Sequence, residues 1–127
     1  MITEPRQEAL ERLYEVEQRG TDAANVSGAS AKAVRIIRGV LAHMDDLDRS
    51  IEETSDHWRM DRMPPVDRTV LRIGLYELRH ESDVPSAVIV SEAVKLAKTF
   101  STERSGSFVN GVLGHLADLE RPGETDH

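Results

Sequence analysis

The sequence predicts an all-α fold, and three observations carry that prediction. Apolar residues recur at intervals of three and four along most of the chain. The hard breaks, Pro64-Pro65 and Asp83-Val84-Pro85, fall between such stretches and not inside them. The one strand-like run, Val88-Ile89-Val90, continues through Ala93, Val94, Leu96, Ala97 and Phe100, a helical spacing over a length that ordinary strands do not reach. At 127 residues the chain is long enough for one domain with a real core and too short for two large ones.

Taken in order, Pro5 suits the first turn of a helix to residue 19, with Ala9, Leu10, Leu13, Tyr14 and Val16 on its apolar face. Gly20 ends it, and residues 20–29 (GTDAANVSGA) read as a loop. Ser30 is placed to cap the next helix. From Ala31 to about His57, the residues Val34, Ile37, Leu41, Met44, Leu47 and Ile51 form one stripe. A polar cluster at Asp45 predicts two helices there with a bend or short turn. Trp58 reads as a core plug at the junction of two bundles.

Residues 66–80, VDRTVLRIGLYELRH, form a helix apolar enough to be buried on more than one side. Gly74 inside it costs about 1 kcal/mol relative to alanine, which predicts close approach of another helix. Gly111 and Gly114 are read the same way. A turn at Ser82–Pro85 leads to a helix from Ser86 to Phe100. The last helix runs from Glu103 or Ser105 to Leu119, and RPGETDH reads as a frayed tail.

Composition excludes several classes of function. Hydrophobic residues make up 39% and charged residues 31%, which is neither a disordered nor a membrane composition. No apolar run reaches about 18 residues, and MITEPRQEALERL has no secretory apolar core. The 0 cysteines exclude disulfides and thiolate metal sites and fit a reducing, cytoplasmic setting. A net charge of −7 argues against nucleic-acid binding by bulk charge, but the charge is uneven. Asp45, Asp46, Asp48, Glu52, Glu53 and Asp56 crowd one stretch, and Arg59, Arg62, Arg68, Arg72 and Arg79 follow in the next.

No phosphate loop, dinucleotide fingerprint or nucleophile elbow occurs. His43, His57, His80, His115 and His127 include no pair at helical metal spacing. The paired carboxylates Asp45-Asp46 and Glu52-Glu53 read as a solvated helix face, not as acid–base machinery. An enzyme and a cofactor are therefore not expected. The stretch with most functional content is FSTERSGSFVNGVL, residues 100–113: a small polar segment feeding a helix N-terminus, with Phe108 at its edge. That ring either packs in the core or offers a face to a base.

Two strings carry a resemblance, DRTVLRIGLYEL and SDVPSAVIVSEAVKLAKTFSTERSGSFVNGVL. With Ala9-Leu10 and Leu13-Tyr14 ahead of them, they resemble the NusB family of bacterial transcription antitermination factors, most weakly over residues 20–60. The resemblance implies two packed three-helix bundles, about 5–57 and about 65–119, in a single domain. It implies binding of boxA-type single-stranded RNA from ribosomal RNA operon leaders, together with NusE, within an antitermination complex on RNA polymerase. Self-association into a homodimer stays open.

Carried onto this sequence, the family's RNA surface falls on Arg6, Tyr14, Lys98, Arg104, Ser105 and Phe108. Arg6, Lys98 and Arg104 would neutralise phosphates, Tyr14 and Phe108 would meet bases, and the backbone at Ser105 to Ser107 would donate N–H groups. The NusE surface falls on the helix of Tyr76-Glu77-Leu78, with Glu77 and Arg72 as polar contacts. One departure stands out. The family's arginine-rich start is reduced here to Ile2-Thr3-Glu4-Pro5-Arg6. It implies either weaker RNA binding that leans on NusE, or a start lying further upstream. Two alternatives follow: a NusE-binding module with weak or no RNA binding, and the NusB-like domain of a ribosomal RNA cytosine methyltransferase of which this chain is a fragment.

Overall fold

The computed structural model describes residues 4–20, 26–56 and 58–124. They form α1 (Pro5–Arg19), α2 (Ala31–Ala42), α3 (Met44–Thr54), a 3₁₀ turn (Met60–Arg62), α4 (Pro65–His80), α5 (Ser86–Phe100) and α6 (Glu103–Glu120). No strand occurs among the described residues.

Local chemistry places the boundaries. Pro5 opens α1, where the Glu4 carboxylate accepts the Gln7 N–H at 3.0 Å. Gly20 closes it at φ 65°, in the left-handed region where glycine carries no steric penalty. Ser30 caps α2 by accepting the Ala33 N–H at 3.2 Å. The expected break in the long stripe falls at a single residue, His43, between α2 and α3. Pro65 stands in the first turn of α4. The loop expected over residues 20–29 lies partly outside the described residues, as does His57.

α4 is the axis of the molecule. It packs against each of the five other helices, and 10 of its 16 residues are buried, the polar Asp67, Thr69 and Glu77 among them. α5 and α6 pack on it and on each other, α1 and α2 do the same from the other side, and α3 bridges α4 and α6. One apolar cluster runs from Ala9 in α1 through Ile37, Leu71 and Leu75 to Leu116 in α6. Two glycines make the approach to α4 close enough. A Cβ on Gly74 would stand 2.6 Å from a Leu113 methyl, and one on Gly39 would stand 2.0 Å from the Tyr76 ring.

Three expectations are corrected. Gly111 and Gly114 face open space, with no atom within 4 Å of an added Cβ, so they mark no helix contact. Trp58 does not plug the core: it is 53% exposed. The C-terminal segment is not frayed up to residue 124. Arg121 donates to the carbonyls of Leu78 (3.1 Å), Glu81 (3.1 Å) and Val84 (2.6 Å), which ties the end of α6 to the last turn of α4 and to the turn that follows it. Glu124 then accepts the Ser86 N–H at 2.8 Å and its hydroxyl at 2.9 Å. It acts as a remote cap for α5, whose own cap position is Pro85, and these bonds hold its carboxyl below the usual range.

Candidate functional site

The turn from α5 to α6 is built by small polar residues. Ser101 leaves helical geometry, and the Thr102 hydroxyl accepts the Ser105 N–H at 3.0 Å to cap α6. The Ser105 hydroxyl donates to Asp67 Oδ2 at 2.9 Å and stands 2.9 Å from Ser101 Oγ. This bolts the corner onto the first turn of α4. Gly106 lets the Lys98 stem lie across the helix, since an added Cβ would stand 2.6 Å from Lys98 Cγ. The Lys98 ammonium, half exposed, stands 3.7 Å from the Glu103 carboxylate.

Two further residues complete this surface. Arg104 is exposed and makes no hydrogen bond or ion pair among the described residues. Phe108 follows it by four positions and so shares its helix face. The Phe108 ring is half-buried against the core, and its outer part meets Trp58 at a centroid distance of 6.1 Å with planes crossing at 65°. On the α1 side, Tyr14 and Phe100, each 39% exposed, line an open groove of about 500 Å³ with Leu10 and Val66. The start of α4 thus carries a surface in which aromatic rings and two cations reach solvent.

The other end of α4 is arranged differently, and it changes the reading of three expected site residues. Arg6 is not a free phosphate contact. It is 7% exposed, and its guanidinium donates to Glu77 Oε2 at 2.8 Å and to Glu4 at 3.1 Å. Burial works against the Arg6 charge, but the Glu77 and Glu4 carboxylates outweigh it and raise its pKa. Glu77 is not a surface contact either: its residue is 1% exposed, and the Lys32 ammonium stands 3.4 Å from its other oxygen. Arg72 grips Asp48 with two bonds of 2.7 and 2.9 Å and reaches Glu17 at 3.4 Å. Glu17 also pairs with Arg68. These ion pairs fasten α1 and α3 to α4 along its length.

Ser105 is also placed inside, 5% exposed, and the N–H groups of Ser105 and Gly106 are taken by Thr102. Of the expected residues, the fold brings Lys98, Arg104 and Phe108 together at the α5–α6 corner, with Ser105 beneath them. Tyr14 joins this end of the molecule through Phe100 and Val66. Arg6, Glu77 and Arg72 stand apart as internal ties. Trp58 is the residue that sequence reasoning missed.

A sequence profile described as NusB family matches residues 3–118. The chain is 44% identical over 124 residues to a transcription antitermination protein NusB of Arthrobacter sp. (strain FB24), covering 91% of each chain. Its fold is similar to that of T. maritima NusB, with a TM-score of 0.79, 32% identity and 93% of each chain covered. It is also similar to a chain in the crystal structure of antitermination factors NusB and NusE in complex with dsRNA. There the TM-score is 0.78 and the identity 26%, over 91% of this chain and 94% of that one.

Proposed function

Since the chain belongs to the NusB family, we propose that it is a transcription antitermination factor that binds boxA-type single-stranded RNA together with NusE. It works in the cytoplasm, in the complex that keeps RNA polymerase processive, and it carries no catalytic step. The observation that carries this reading is the α5–α6 corner. There Lys98, Arg104 and Phe108 share one exposed surface on a rigid, capped helix start. Lys98 and Arg104 neutralise phosphates, and Phe108 and Tyr14 meet bases through ring faces and edges. Ser105 positions this surface from below. Glu77 and Arg72, the polar residues expected on the NusE side, are tied to Arg6 and Asp48 inside the fold and so shape that side through α4. Among the described residues, no helix is long and apolar enough to cross a membrane.

One observation favours a second reading, a NusE-binding module with little RNA affinity of its own. The lone arginine of the N-terminal segment, Arg6, is consumed by Glu77 inside the fold. Each phosphate contact removed weakens binding and flattens its salt dependence. No observation favours the methyltransferase reading; the relatives at 44% and 43% identity are antitermination proteins.

Titration of a labelled boxA-type RNA with the protein, with and without NusE, separates the two. RNA binding that tightens with NusE and falls steeply with salt is expected. No RNA binding in either arm at low salt overturns the first reading in favour of the second.

A further inference from the structure

Trp58 is exposed, yet it is held. The Ser55 hydroxyl donates to the Trp58 carbonyl at 3.1 Å, and the Trp58 N–H donates to the Ser55 carbonyl at 3.2 Å. The Met60 N–H donates to Glu52 Oε2 at 2.7 Å, and the Arg68 guanidinium reaches the Met60 and Met63 carbonyls. Asp56, at φ 55°, turns the chain through the left-handed region just before it. A large ring in water on a pinned backbone has already lost much of the freedom that binding would remove. Its ring is braced by Phe108, and Phe108 stands one helical turn from the unpaired cation of Arg104.

Resting on the RNA-binding reading above, we propose that Trp58 is a base-stacking residue, forming with Phe108 a two-ring platform for one unpaired RNA base whose phosphate meets Arg104. The occupant is single-stranded RNA rather than a protein strand or helix for two reasons. The platform is two rings wide with a cation beside it, which matches one nucleotide and not an extended apolar face. The contact is edge-to-face, with planes crossing at 65°, and Trp58 is 53% exposed, so the indole keeps open surface to receive a base while Phe108 braces it. Trp58 thereby extends the surface of the α5–α6 corner toward the segment that follows α3.

Trp58 is the sole tryptophan, so its emission reports the site directly. The full chain is titrated at low salt with a boxA-type RNA oligonucleotide, following indole emission and, in parallel, the anisotropy of a label on the RNA. The expected result is quenching with the same midpoint as the anisotropy change. Trp58→Ala is expected to weaken RNA binding about tenfold. Trp58→Phe, which keeps a ring, should lose only about threefold, with helical circular dichroism unchanged in both. If wild type and Trp58→Ala bind RNA equally and emission does not change, Trp58 is no part of the platform while the RNA reading stands. If wild type shows no anisotropy change either alone or with NusE present, the RNA reading fails and takes this inference with it. If Trp58→Ala loses NusE affinity but keeps RNA affinity, the rings belong to a protein contact and the inference is overturned.

Discussion

The two ends of α4 hold similar residue types and put them to opposite use. At its C-terminal end, Arg6, Lys32 and Glu77 are drawn into the fold, Tyr76 fills the space over Gly39, and Arg121 collects the last carbonyls. At its N-terminal end, Lys98, Arg104, Tyr14, Phe100, Phe108 and Trp58 keep some or all of their surface. About ten residues of helix, roughly 15 Å, separate Asp67 from Glu77. The difference is whether a charge or ring is buried with its partner or keeps its surface. Groups paired inside the fold fasten helices together, whereas at the capped corner Arg104 has no partner among the described residues and the exposed Lys98 pairs only at the surface with Glu103.

Breaking the buried end should cost most. Glu77→Ala leaves the Arg6 guanidinium buried without its main partner, and a loss of about 3–5 kcal/mol is expected in denaturant unfolding. A loss below 1 kcal/mol would mean that the pair relaxes into water and that the two ends are less different than described. Phe108→Ala at the other end should weaken boxA-type RNA binding about tenfold. Its helical circular dichroism should be nearly unchanged, because the ring is only partly buried. Collapse of the helical signal would place Phe108 with the core instead.

Smaller effects sharpen the contrast. Arg104→Ala should reduce the slope of log affinity against log salt by about one, while stability changes by no more than about 0.5 kcal/mol. A stability loss well beyond that would reveal a structural partner for Arg104. The smallest effect concerns acid. Hydrogen bonding to Arg35 holds the Glu81 carboxyl below its ordinary value of 4.5, against the pull of burial. A depressed carboxyl contributes stability that is present above pH 4.5 and is lost as pH falls through its folded value. With Arg35 exposed, solvent screening keeps the contribution small. Arg35→Ala should remove that part of the stability lost on acidification below pH 4.5 in unfolding curves; an unchanged acid dependence would mean that Arg35 does not hold the carboxyl.

Legibility in the sequence followed the range of the interactions. Pro5, Gly20, Ser30 and Pro65 act within a turn of themselves, so the helix ends they set were readable. Gly74 announced a close helix; Gly39, also a glycine inside a helix, carries the closer contact but was not singled out. Arg6 and Glu77 lie 71 positions apart, and no local pattern says that they meet. Ser105 finds Asp67 across 38 positions, so a serine read as a flexible-loop donor is a buried bolt. Trp58 was misplaced for a different reason. Its hydrophobicity predicts burial, whereas its aim is set by the Asp56 turn, by the Ser55 hydroxyl donating to its carbonyl, and by Glu52 accepting the Met60 N–H just after it. The order and type of the helices were thus visible, but which charges remain outside was not.

Whether RNA meets the start of α4 and its corner, and not the end that holds Arg6 and Glu77, is read directly by mapping backbone amide and indole shifts of the labelled protein by NMR on addition of boxA-type RNA. Perturbations are expected at the Trp58 indole, Tyr14 and residues 98–108, with Arg6, Lys32 and Glu77 undisturbed. Perturbations centred on Arg6 and Glu77, with the corner silent, would contradict that placement.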